Sequence, residues 1–130
     1  MNLKFLFTLS AVVLFLLGSG LLLLPNELIT MRTGQAPGAL TIHMARQFAI
    51  LSLVLGIISW RVRTSARSKE LNAIIFGLII AFIILPIETA LSIRNGSESA
   101  EGWLLVILFS VLAIGFILAG RNNNSSKTKT

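Results

Sequence analysis

LNAIIFGLIIAFIILPI, residues 71–87, runs for 17 residues without a charge. At 1.5 Å of rise per residue it makes a helix of about 26 Å, set against a hydrocarbon core about 30 Å thick. Glu88 therefore arrives at the edge of the apolar zone, and Ala90, Leu91 and Ile93 carry the helix beyond it. With its flanks, this stretch is one of four apolar runs: Phe5–Leu24, Ile42–Trp60, Leu71–Ile93 and Trp103–Ala119. Each is long enough, or nearly so, to cross a bilayer as a helix. The pattern predicts an all-α, integral membrane four-helix bundle.

Composition points the same way. Apolar residues make up 55% of the 130-residue chain and charged residues 12%, where soluble domains carry roughly 25% charge. Lipid is the solvent such a surface requires. Four helices of about 20 residues use almost the whole length, so residues 1–121 form one domain with no separate catalytic head. The polar tail 122–130, mostly Asn, Ser, Thr and Lys, is expected to be disordered. There is no cysteine for a disulfide framework or a thiolate metal site. The single histidine, His43, cannot supply a bis-His haem or a typical catalytic zinc site by itself. No metal and no cofactor is expected.

The net charge of +6 does not point to nucleic acid, because the basic residues flank the apolar runs, where membrane topology explains them. Lys4, Arg61, Arg63, Arg67, Lys69, Arg121, Lys127 and Lys129 fall on one side, and Arg32, Arg46 and Arg94 on the other. Short loops rich in Lys and Arg stay in the cytoplasm. Both termini are thus expected inside, with the 25–44 and 94–102 loops outside. Trp60 and Trp103 fit the aromatic belts at the two boundaries. The first run is too long for a signal-peptide core and ends at Leu24-Pro25 without an Ala-x-Ala site, which predicts a retained helix. Pro25, Gly34, Pro37 and Gly38 punctuate the first connection. Residues 26–33 fit two helical turns lying in the interface with Leu28, Ile29 and Met31 towards lipid.

Ionisable residues inside a membrane mark sites worth testing. The second run reaches spanning length only if it starts near Ile42, which draws His43 and Arg46 to the boundary. Measured from the shared inner edge, Arg46 and Glu88 sit at about 21 Å and 26 Å, within an arginine's reach of each other. Arg46, Glu88 and His43 form the candidate polar cluster: a salt bridge pinning two helices, two side chains snorkelling to water, or a proton-sensitive group. For packing, close backbone approach through small residues is the available device. Ala73, Gly77 and Ala81 form such a stripe; Gly56 and Gly115 belong to shorter ones. Packing within the bundle and packing between copies are both open.

Pro25 closing the first run, Ala45-Arg46-Gln47-Phe48 opening the second, Leu55-Gly56-Ile57-Ile58-Ser59-Trp60-Arg61 closing it, and Asn95-Gly96 before Gly102-Trp103 give the chain its likeness. It resembles small four-helix bacterial inner-membrane proteins of unknown function. The resemblance implies a membrane bundle and carries no active site. Small multidrug exporters share the size but rely on a Glu in the first helix, and here no charge lies between Lys4 and Glu27. No nucleophile elbow, phosphate loop or HExxH is present. The expected function is a non-enzymatic accessory or structural membrane subunit, working as a homo-oligomer or in a larger complex. The alternative is a small proton-linked transporter or channel.

Overall fold

Asn2 caps the first helix, its side-chain oxygen accepting from the Lys4 amide at 3.0 Å. From there α1 (Leu3–Leu23) runs until Leu24-Pro25. Proline has no amide hydrogen to continue the ladder but fits the first position of a new helix. The chain accordingly turns into α2 (Pro25–Thr33), which ends at Gly34 with φ 73°, a left-handed conformation that glycine adopts without strain. Then follow α3 (Ala39–Val62), α4 (Lys69–Arg94), a 3₁₀ turn over Ala100–Gly102, and α5 (Trp103–Lys127). Ser68 caps α4 by accepting from the Leu71 amide at 3.1 Å. The computed structural model describes residues 2–96 and 100–127, with the backbone alone for 122–127. No strand occurs among the described residues.

Among the described residues, four helices are long and apolar enough to cross a membrane: Leu3–Leu23, Ala39–Val62, Lys69–Arg94 and the segment Ala100–Arg121. The chain is a multi-pass membrane protein by that measure. Its surface agrees, since Leu16, Phe76 and Leu104 are 71%, 65% and 73% exposed. In water, burying side chains of this kind would be worth roughly 1.5–3 kcal/mol each; against lipid tails that drive vanishes.

The helices form two close pairs, α1 with α3 and α4 with α5. The first pair is built on small residues. Ala49, Ser52, Gly56 and Ser59 line the buried face of α3, and Ser10, Ala11 and Gly18 are buried on α1. Gly56 lies over Ala11 and Leu14. At Gly18 the helices come closest: a Cβ there would stand 2.8 Å from the Ala49 carbonyl oxygen. The two pairs meet through bulky side chains instead. Phe7 of α1 abuts Phe116 of α5 edge-on at 5.2 Å across the pairs, while within the second pair Phe82 of α4 stacks on Phe109 at 5.7 Å and on Phe116 at 6.1 Å. Leu6, Ile75, Leu78 and Leu112 complete this core.

Three expectations need revision. Ala73 and Gly77 are exposed, and a Cβ on Gly77 would meet nothing within 4 Å, so that stripe does not pack within the chain. The inward face of α4 belongs to Leu71, Ile75, Leu78 and Phe82, and at about 100° per residue 73 and 77 point the other way; Ala81, half-buried, flanks the interface. Gly115, by contrast, is buried. In α2, Leu28 and Ile29 are half-buried rather than lipid-facing. Leu28 folds back on α1, its Cδ1 3.0 Å from where a Gly20 Cβ would stand. Finally, the backbone stays helical through Lys127, into the tail expected to be disordered, because extending a formed helix adds a hydrogen bond per residue fixed. Residues 128–130, like Ser97 and Glu98, lie outside the described residues.

Candidate functional site

A cleft of about 440 Å³ opens at the end of the bundle that carries α2, and all five helices contribute to its wall. Its polar groups are Arg32 of α2, Thr41 of α3, and Glu88 and Thr89 of α4. Apolar walls come from Leu17, Leu21, Phe48, Leu85, Leu105 and Phe109. The volume falls within the roughly 300–1,000 Å³ of small-molecule sites.

The fold explains how each polar residue arrives. Pro86 lies inside α4 about half a turn before Glu88, leaving the Phe82 carbonyl without its helical donor. Oε1 of Glu88 accepts from the Ser92 hydroxyl at 3.0 Å. Arg32 stands in the last turn of α2, where a cation is favoured by the helix dipole. Ile29 and Arg32 are spaced i, i+3 and therefore share a face; both line the cleft. Gly34 ends α2 immediately afterwards, its amide donating to the Thr30 carbonyl at 2.8 Å.

Of the three residues expected to cluster, only Glu88 lines this space. His43 and Arg46, exposed like Glu88 itself, are not among its lining residues, and no ion pair joins Arg46 to Glu88 among the described residues. Depth along the helix was the wrong criterion here, because azimuth decides. Thr41, Met44, Ala45 and Phe48 are the α3 residues in the cleft wall. At about 100° per residue, positions 43 and 46 lie roughly 150° round the helix from the centre of that group. The cation that accompanies Glu88 is Arg32, which reads in the sequence only as a topological loop charge. The signal that identifies it is the apolar Ile29 one turn before it, in a short helix that must fold back on the bundle.

Two further cavities adjoin. A mostly polar one of about 510 Å³, among the 33–38 connection and Gly96, shares Ile29 and Thr41 with the cleft. A mostly apolar groove of about 330 Å³ runs between α2 and α5, and shares Leu17, Leu21, Arg32 and Leu105 with it. Arg32 thus stands where the cleft and the apolar groove meet. Towards the opposite end the cleft stops at Phe109, behind which Phe82, Phe116 and Phe7 fill the core. No group of three or more His, Cys, Asp or Glu residues able to hold a metal ion occurs among the described residues. Comparison with known proteins finds no matching family model, no matching curated protein and no matching solved structure.

Proposed function

We propose that this chain is a non-enzymatic accessory subunit of a bacterial inner membrane, of the small four-helix type it resembles. Both termini lie in the cytoplasm and the α2 end faces out. The dead-end cleft carries this reading. It reaches from the α2 end to Phe109 and stops at packed aromatic rings, an arrangement suited to holding a ligand rather than passing one. The α3 helix supports association with other membrane components. Among the described residues it packs mainly on α1, and Leu51 and Ile57, 63% and 51% exposed, belong to a broad uncovered face.

A proton-linked transporter is the second reading. It is favoured by the polar cavity at the loops, which shares Ile29 and Thr41 with the cleft that Glu88 lines, and it requires the aromatic layer to open. Purification in mild detergent followed by reconstitution separates the two. A stable protein partner, with no pH-driven uptake in liposomes, supports the accessory reading; an isolated oligomer with pH-dependent uptake overturns it. The orientation is tested separately, since the absence of native cysteine allows single-cysteine labelling. Gln35→Cys should react with an impermeant maleimide in intact cells, and Ser65→Cys only after permeabilisation.

A further inference from the structure

We infer that the cleft and the adjoining groove together hold one phospholipid whose headgroup carries both a phosphate and a primary ammonium. The argument begins with charge. Arg32 and Glu88 line a single cleft, so a ligand with one sign only would meet one favourable and one unfavourable partner. The groove beyond Arg32 has Glu101 at its edge, a second carboxylate that disfavours a purely anionic headgroup. A head bearing both signs satisfies both sides. Its phosphate takes the guanidinium, whose planar fork of donors matches phosphate geometry. Arg32 is already engaged within the protein, but its five N–H donors can serve a second partner.

The ammonium end follows from the acceptors available. Ser92 accounts for one oxygen of the Glu88 carboxylate, and Thr41 and Thr89 line the same wall. A primary ammonium has three donors for such acceptors; a quaternary one has none. The apolar part follows from the groove. Leu28 and Met31 on α2 face Leu104 and Leu105 on α5 across about 330 Å³ of space with almost no polar lining. Because Leu17, Leu21, Arg32 and Leu105 border both spaces, a headgroup in the cleft leaves its acyl chain beside the groove. A soluble zwitterion would use the cleft and leave the groove empty, so the ligand is a lipid.

This inference rests on reading the cleft as a place of binding rather than passage, but its test does not depend on transport. The full chain is reconstituted in nanodiscs of equimolar phosphatidylethanolamine, phosphatidylcholine and phosphatidylglycerol, extracted gently, and its retained lipid identified by native mass spectrometry. Phosphatidylethanolamine should be retained in preference to the other two. Arg32→Gln and Glu88→Gln should each reduce that retention by about tenfold, the scale of losing one charge-assisted contact. Arg46→Gln, which alters a charge outside the cleft, should leave it unchanged. Leu104→Trp fills the groove from a largely exposed position and leaves both charged side chains in place; it keeps the test valid should a charge variant fail to fold, and should also reduce retention. Equal retention of the three lipids overturns the inference, as does a loss in Arg46→Gln matching that in Arg32→Gln. Displacement of the lipid by free O-phosphoethanolamine at equal concentration would overturn the role of the groove.

Discussion

Replacing Gly18 with alanine places a methyl carbon 2.8 Å from the Ala49 carbonyl oxygen and 2.8 Å from Cγ of Leu53. Leu53 is half-buried and can rotate away. The carbonyl belongs to the backbone of α3 and can yield only if the helices separate. Ordinary contact begins at 3.4 Å, so α1 and α3 must move apart by 0.6 Å at their closest point, the difference between 3.4 and 2.8 Å. Overpacking of this kind costs about 1–3 kcal/mol, and the better helix propensity of alanine returns up to about 1 kcal/mol. Gly18→Ala should therefore be destabilising, by as much as about 2 kcal/mol. Two glycines of the same fold supply the comparison. At Gly56 the added carbon lies 3.4 Å from Leu14 Cβ, an ordinary contact, and the change should be close to neutral. At Gly77 it meets nothing within 4 Å, leaving only the gain in propensity. The assay is SDS titration of the detergent-solubilised protein, followed by far-UV circular dichroism and by the fluorescence of Trp60 and Trp103. The expected order of midpoints is Gly77→Ala highest, Gly56→Ala next and Gly18→Ala lowest. A Gly18→Ala midpoint equal to or above that of Gly77→Ala would refute the small-residue interface between α1 and α3.

The remaining predictions concern the interior. The Ser10 and Ser59 hydroxyls are buried without a hydrogen-bond partner, and burying an unsatisfied polar group is unfavourable; Ser10→Ala and Ser59→Ala should each raise the SDS midpoint by the equivalent of about 1 kcal/mol. Phe116→Ala removes the ring that meets both Phe7 and Phe82. It should lower stability by about 3–5 kcal/mol and let the two helix pairs separate while far-UV helicity persists, as a cross-link between α1 and α5 would report.

Some of this was legible along the chain because it depends on sums. Whether a segment crosses a membrane depends on length and mean apolarity, and Leu71–Ile87 carries both in its composition. Pro25 and Gly34 mark the ends of helices because each changes what the local backbone can do. Azimuthal relations were not legible. Ala73 and Gly77 look like an interface by spacing, yet α4 buries Leu78 and Phe82 and turns those small residues outward. In a membrane helix both faces are apolar, so periodicity gives little sign of which one faces protein.

The sequence by itself therefore determined four apolar helices, the breaks between them and the depth to which each charge could travel, all properties of one segment considered alone. The tertiary structure decided which charges share a space. It folded α2 back so that Arg32, rather than Arg46, joined Glu88, and it closed the cleft behind Phe109. The physical reason is rotation. A shift of one residue along a helix changes depth by only about 1.5 Å but direction by about 100°, and that direction is fixed only when helices pack against one another.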